Sequence, residues 1–175
     1  MSSLLIKNGH VIDPKNTVDE VCDVYVIDGK ITKVAKGITE TADETIDATG
    51  LTVTPGLVDL QVHFREPGRE DRETILTGSR AALKGGVTSA VAMPNTTPEA
   101  DNQSIIEFII NRSKDVGLIN IFPTGATTKG QDGSQLSEMK ELKNSGAVAV
   151  TDDGFDVQDE GSFAMPWSMP RHMTC

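Results

Sequence analysis

The feature that most constrains this chain is an alternation that begins after Pro55-Gly56. "LVDLQVHF" reads as a strand, "ETILTGSRAALKGG" as a helix closed by Gly85-Gly86, and "VTSAVAMP" as a second strand. "NQSIIEFIINRSKDVG" predicts a helix stopped at Gly117, and "LINIFPTGA" a third strand. "GSQLSEMKELKNSG" predicts a helix with Leu136, Met139 and Leu142 on one face and Gly146 as its stop, and "AVAVTDDG" a fourth strand. Four strands alternating with three helices imply a parallel sheet with right-handed crossovers. The near-continuous apolar runs imply strands covered on both faces. An open doubly wound sheet and a barrel both satisfy the pattern. No G-x-G-x-x-G follows the first strand, which weighs against a dinucleotide fold. Polar residues gather at the C-terminal end of every strand, in "HFREPG", "MPNTTP", "PTGATTKG" and "TDDG". Both architectures put their sites there.

The first 50 or so residues follow a different grammar. "LLIKNGHVID" and "DVYVIDGKITKVA" each carry apolar runs around Asn8-Gly9 or Asp28-Gly29, a strong hairpin signal. "ETIDATGLTVTPG" adds a further strand. A small antiparallel sheet is expected.

Composition narrows the function classes. The net charge is −10, with acidic and basic residues interspersed and no run of Lys and Arg, which argues against nucleic acid as a partner. No apolar stretch approaches the roughly 20 residues a membrane span needs, and the N-terminus lacks a leader pattern. Cys22 and Cys175 are too few for a disulfide framework and read as reduced thiols. A cytoplasmic protein with a small-molecule substrate is the expectation.

Period-two alternation puts Gln61, His63 and Arg65 on one face of the first strand of the alternating array. Two histidines at i and i+2 there could chelate one cation, but Gln61 stands at the first position. Alone, His63 reads more readily as a hydrogen-bonded strand end, Arg65 as an ion-pair partner and Asn95 as a turn former. The Arg65 fork and the Asn95 amide can also hold a carboxylate. Asp152 and Asp153 before Gly154 read as a solvated turn, or as a carboxylate placed to hold cations.

The stretch "GLVDLQVHFREPGREDRETILTGSRAALKGGVTSAVAMPNTTP" resembles the signature of the dihydroorotases, in their longer-chain bacterial form within the amidohydrolase superfamily. That signature is a metal-binding H-x-H followed by R-E-P-G and then M-P-N-T. "GAVAVTDDG" resembles the segment that supplies the family's aspartate ligand, and the likeness runs from Met1 to about Phe163. The resemblance implies an α/β fold: the N-terminal half of a (β/α)8 TIM-type barrel plus part of a small N-terminal β-sandwich, which the family completes with the far end of its chain. It implies zinc-dependent, reversible cyclisation of N-carbamoyl-L-aspartate to dihydroorotate in pyrimidine biosynthesis. By position, His63 and Asp153 would be metal ligands, with Gln61 at a degenerate ligand position. Arg65 and Asn95 would hold the substrate carboxylate, which weighs against the alternative of an allantoinase- or hydantoinase-type cyclic amidase. Lys129 is taken as a loop residue, because in this branch an aspartate replaces the carbamylated lysine.

Two departures shape the expectations. Gln61 in the first histidine position implies weaker metal binding. The family continues through further βα units carrying more histidine ligands and a catalytic aspartate as general acid/base, so a half-barrel lacking that acid/base is expected, with no appreciable activity of its own. The expected division is residues 1–52 as partial sandwich, 53–163 as four βα units, and 164–175 as a tail read out of frame. In "AMPWSMPRHMTC" the prolines fall where a helix should follow. Permitted codons read in a shifted frame spell Ala-Met-Glu-Tyr-Ala-Lys-Thr-His-Asp-Met, a proline-free helix former. His172 and Trp167 then carry no role. Gln61 also suits a second reading, a non-catalytic dihydroorotase-like partner of aspartate transcarbamoylase. The open faces of a half-barrel suit self-association as a homodimer.

Overall fold

The computed structural model describes residues 2–155 and 157. The tail expected at residues 164–175, with Trp167 and His172, lies outside the described residues. Two compact units are present, the first ending at Pro55 and the second beginning at Gly56.

The first unit is a five-stranded sheet in the order β3-β2-β1-β4, with β5 also pairing β1. Its strands are β1 (Ser3–Asp13), β2 (Val18–Ile27), β3 (Lys30–Ala35), β4 (Glu44–Asp47) and β5 (Thr52–Val53). Asp28 and Gly29 make the expected two-residue hairpin between β2 and β3, with φ of 48° and 74°. Asn8-Gly9 does not turn the chain. It forms a bulge inside β1, where the pairing slips from Ile6↔Val24 to Gly9↔Cys22. Buried Asp23 draws in the Asn8 amide N–H at 2.8 Å, and Asn8 takes a φ of 62°. Gly9 lies so close to β5 that a Cβ would come within 2.6 Å of Val53 Cγ2. The turn after β1 falls instead at Pro14–Asn16, capped by the Asp13 carboxylate. The sheet is also not wholly antiparallel, since β4 and β5 both run parallel to β1. Val11, Cys22 and Val24 form its small core, and burial pushes the Cys22 thiol up.

The second unit holds the alternation. β6 (Leu57–Val62), β7 (Val87–Ala92) and β8 (Asn120–Pro123) form a parallel sheet in that order. Helices α1 (Ile75–Lys84), α2 (Gln103–Val116) and α3 (Met139–Asn144) follow the three strands in turn. Thr74 and Thr77 cap α1 reciprocally, Asn102 caps α2, and Gly117 ends α2 with φ of 62°. Ile75, Ile106, Ile109, Ile121 and Leu142 pack with Phe64 into the core. Gly78 lets α1 press on the Phe64 ring, where a Cβ would approach to 2.5 Å.

Three expectations need correction here. α3 is shorter than its pattern, because Leu136 bridges Thr128 and the Ser137 N–H donates to the Thr127 carbonyl before the helix begins. The fourth strand is reduced to one bridge, Gly125↔Val150, although parallel-type bonds run from Val148 to Pro123 and between Gly125 and both Ala149 and Thr151. β6 is not covered on both faces among the described residues: Leu60 is 72% exposed and Val58 61%. No described helix is long and apolar enough to cross a membrane.

Candidate functional site

The parallel ladder continues past the strand ends, with the Met93 N–H donating to Val62 and the Thr124 N–H to Ala92. Together with the bonds between Gly125 and both Ala149 and Thr151, this holds the strand-end loops side by side, and on them the polar residues of "HFREPG", "MPNTTP" and "TDDG" meet.

Asp153 is the hub. Thr151 Oγ1 accepts from its backbone N–H at 2.9 Å, and its φ is 54°. That left-handed turn sends the adjacent acids apart. Asp152 is buried and accepts from Thr128, from the N–H at 3.1 Å and the hydroxyl at 2.7 Å. Asp153 instead accepts from two amides: Gln61 Nε2 at 2.9 Å on Oδ1, and Asn95 Nδ2 at 2.8 Å on Oδ2. Asn95 Oδ1 lies 3.0 Å from His63 Nδ1. Because the Asn95 amine already faces a carboxylate, its carbonyl must face the ring, so Nδ1 carries the proton. His63 Nε2 lies 3.9 Å from Asp153 Oδ2, and in the neutral ring presents its lone pair there. Arg65 donates through Nη1 to the backbone carbonyl of Asn95 at 3.4 Å.

The structure therefore brings Gln61, His63, Arg65, Asn95 and Asp153 together. The Asn95 side chain is engaged on both of its ends, Nδ2 on Asp153 and Oδ1 on His63. Beside the cluster is a concavity of about 460 Å³ reached by Gln61, Met93, Thr124, Thr151 and Asp153.

A divalent cation fits part of this set. Zinc lies about 2.0–2.2 Å from imidazole nitrogen and carboxylate oxygen, so one ion can touch both His63 Nε2 and Asp153 Oδ2 across their 3.9 Å gap. Two facing acceptors also call for a positive group between them. Gln61 does not fit, because its amine, a donor, faces the carboxylate. No cluster of three or more His, Cys, Asp or Glu placed to hold a metal occurs among the described residues. Lys129 is exposed and sits in a 3-10 turn, as a loop residue would.

Sequence reasoning missed the residues that hold the cluster in place. Glu66 is 7% exposed and accepts from the Ile75 N–H at 2.8 Å and from Arg112 Nε at 2.7 Å, tying the loop after β6 to α1 and α2. Glu66 was legible as a carboxylate ahead of a helix start, whereas nothing local marks Arg112. The loops after β6 and β7 are stitched together as well. The Thr97 N–H donates to the Pro67 carbonyl at 2.9 Å, and Gly68, with φ of 95°, lies where any Cβ would strike the Thr97 carbonyl.

Comparison with known proteins adds the family context. Residues 50–168 match the family model described as dihydro-orotase-like. A dihydroorotase of Ruminiclostridium cellulolyticum is 53% identical over 151 residues, which are 86% of this chain and 35% of that protein. The dihydroorotase of Aquifex aeolicus is 46% identical over 159 residues, 91% of this chain and 38% of its own length. The chain thus spans little more than a third of these relatives. Among solved structures, the L-hydantoinase (dihydropyrimidinase) of Arthrobacter aurescens matches with a TM-score of 0.76 at 22% identity, over 93% of this chain and 37% of that one. A crystal structure of a dihydroorotase matches with a TM-score of 0.57 at 17% identity, over 86% and 42%. At these identities the structural matches speak for the fold, an α/β fold shared with hydantoinases.

Proposed function

The chain belongs to the dihydroorotase-like family, and from that premise we propose that its activity, in the full-length form of its relatives, is that of a zinc-dependent dihydroorotase of cytoplasmic pyrimidine biosynthesis. The reaction adds water across a ring amide of dihydroorotate: the carbonyl carbon gains oxygen, the C–N bond breaks and the nitrogen takes a proton. The reverse closes N-carbamoyl-L-aspartate. The observation that carries this reading is the convergence of His63, Arg65, Asn95 and Asp153 at the strand ends of a βα array.

Arg65 binds the substrate carboxylate through its planar fork, and the second Nδ2 proton of Asn95 is a donor to the same group. Asn95 also fixes the His63 tautomer and steadies Asp153. His63 and Asp153 are the residues that would hold zinc, which when bound polarises the amide carbonyl and activates water. The general acid/base is assigned to the part of the family architecture that this chain does not span.

The test is a graft of residues 1–155 into the R. cellulolyticum dihydroorotase in place of the matching segment, with Gln61→His. Hydrolysis of dihydroorotate, with hydantoin and allantoin untouched and KM raised at least about tenfold by Arg65→Ala, is the expected result. Equal turnover of hydantoin would replace this reading with a hydantoinase-type one. The 175-residue chain alone, with added zinc, is expected to show no appreciable turnover.

One observation favours a second reading. The Gln61 amide occupies Asp153, which suits a non-catalytic partner of aspartate transcarbamoylase. Co-purification of the two proteins without zinc supports it, and failure of the purified pair to associate removes it. The exposed Leu57, Val58 and Leu60 of β6 favour a homodimer, which sedentary monomeric behaviour in gel filtration would refute.

A further inference from the structure

We propose that Gln61 works as an amide clasp on Asp153: it takes up one carboxylate oxygen as a hydrogen-bond donor, offers no ligand itself, and so leaves two metal-binding atoms, on His63 and Asp153, among the described residues, with weak zinc affinity. The inference rests on the reading of His63 and Asp153 as the zinc-holding pair.

Both oxygens of Asp153 already accept from amide nitrogens, Gln61 Nε2 at 2.9 Å and Asn95 Nδ2 at 2.8 Å. The two amides differ in what they do. Asn95 passes its other end to His63 Nδ1 and so orients the ring that faces the cation position. Among the described residues, Gln61 carries no second side-chain role of this kind. Its own backbone N–H is held by Asp59 Oδ1 at 3.1 Å, which pins the strand where the amide leaves it. For the Gln61 carbonyl to act as a ligand, the amide would have to turn over, set an oxygen against Asp153 Oδ1 and lose the hydrogen bond. An amide oxygen is also a weaker zinc ligand than imidazole. The clasp therefore supplies the carboxylate with dipoles where a third ligand and a cation would otherwise balance it.

The experiment is zinc titration of the purified 175-residue chain by equilibrium dialysis, with cobalt absorption as a second readout of coordination. Wild type, Gln61→Ala, Gln61→His, His63→Ala and Asp153→Asn are compared, each checked for a native circular dichroism spectrum and unfolding transition. Gln61→Ala is expected to bind zinc at least as tightly as wild type, because it frees Asp153 without removing a ligand. Gln61→His is expected to bind at least about 100-fold tighter, the upper end of the effect of an outer-sphere partner, and to give a more intense cobalt spectrum. Weaker binding by Gln61→Ala, or no gain in Gln61→His, overturns the clasp. If His63→Ala and Asp153→Asn still lose zinc in that case, the metal-site reading stands without it. Zinc binding indifferent to His63 and Asp153, or absent from every variant, overturns both. Should Gln61→His fail to fold, Gln61→Ala decides alone, since a clasp and a ligand predict opposite directions for it.

Discussion

Two carboxylates belong to the strand-end loops of the same parallel sheet, and they are balanced in opposite ways. Glu66 is met by the Arg112 guanidinium and by the Ile75 N–H in the first turn of α1. Its charge is answered within the protein by a cation and a helix N-terminus. Asp153 accepts hydrogen bonds from two neutral amides, with His63 Nε2 3.9 Å away. Dipoles orient it but do not neutralise it. The contrast teaches how to tell a structural acid from one kept in reserve: the first has its counter-charge built in, whereas the second has only its direction fixed.

The strongest way to break this contrast is Glu66→Ala. It leaves Arg112 without its partner and the α1 start without its acceptor. Breaking a buried pair costs about 3–5 kcal/mol, and because the Arg112 side chain is 39% exposed the loss should fall to about 2–3 kcal/mol. Urea denaturation measures it, and a loss under about 0.5 kcal/mol would erase the distinction. Next comes Thr128→Val, which strips a hydroxyl from buried Asp152 and is expected to cost about 1–2 kcal/mol in the same measurement. Asp153→Asn should cost less than about 1 kcal/mol, since a charge answered only by dipoles gives up little when neutralised. A cost matching that of Glu66→Ala would mean that Asp153 is structural too.

The smallest effect belongs to the exposed acids of the first unit. Ser3 holds the Asp43 carboxyl below its ordinary range through its hydroxyl and N–H, and Thr49, then Asn8, do the same for Asp47. A carboxyl lowered in the folded state adds stability that is complete above its unfolded value, about 3.9, and is lost as pH falls through the lowered one. Ser3→Ala should therefore lower stability slightly near pH 7 and leave it unchanged below the lowered value, so that the fall in stability on acidification becomes shallower. A steeper acid loss in the variant would contradict this assignment.

Much of the second unit was legible because its signals are local. Gly85-Gly86 and Gly117 stop helices, Asn102 caps one, and three apolar runs pair as parallel strands. The site cluster was legible by position, since strand ends collect polar residues wherever βα units stand side by side. What escaped was decided by distant partners. Asn8-Gly9 carries a turn signature, yet buried Asp23, fifteen positions on, recruits its N–H and keeps β1 running. The helical stripe of Leu136, Met139 and Leu142 loses its first turn to the bridge between Thr128 and Leu136. Asp152 and Asp153 look interchangeable in "TDDG", and only a left-handed φ at the second separates them. Gln61 was visible as an odd residue, but the direction of its amide is a property of the folded site.

The stitch at Gly68 carries a mechanical consequence. Between the Pro67 carbonyl and the backbone of Thr97 there is neither slack nor space for a side chain. The segments bearing Arg65 and Asn95 are thus geared together, so a ligand that draws the guanidinium inward must carry the asparagine with it. Because Asn95 grips both the imidazole and Asp153, a pull on Arg65 is transmitted as a change of spacing between His63 and Asp153.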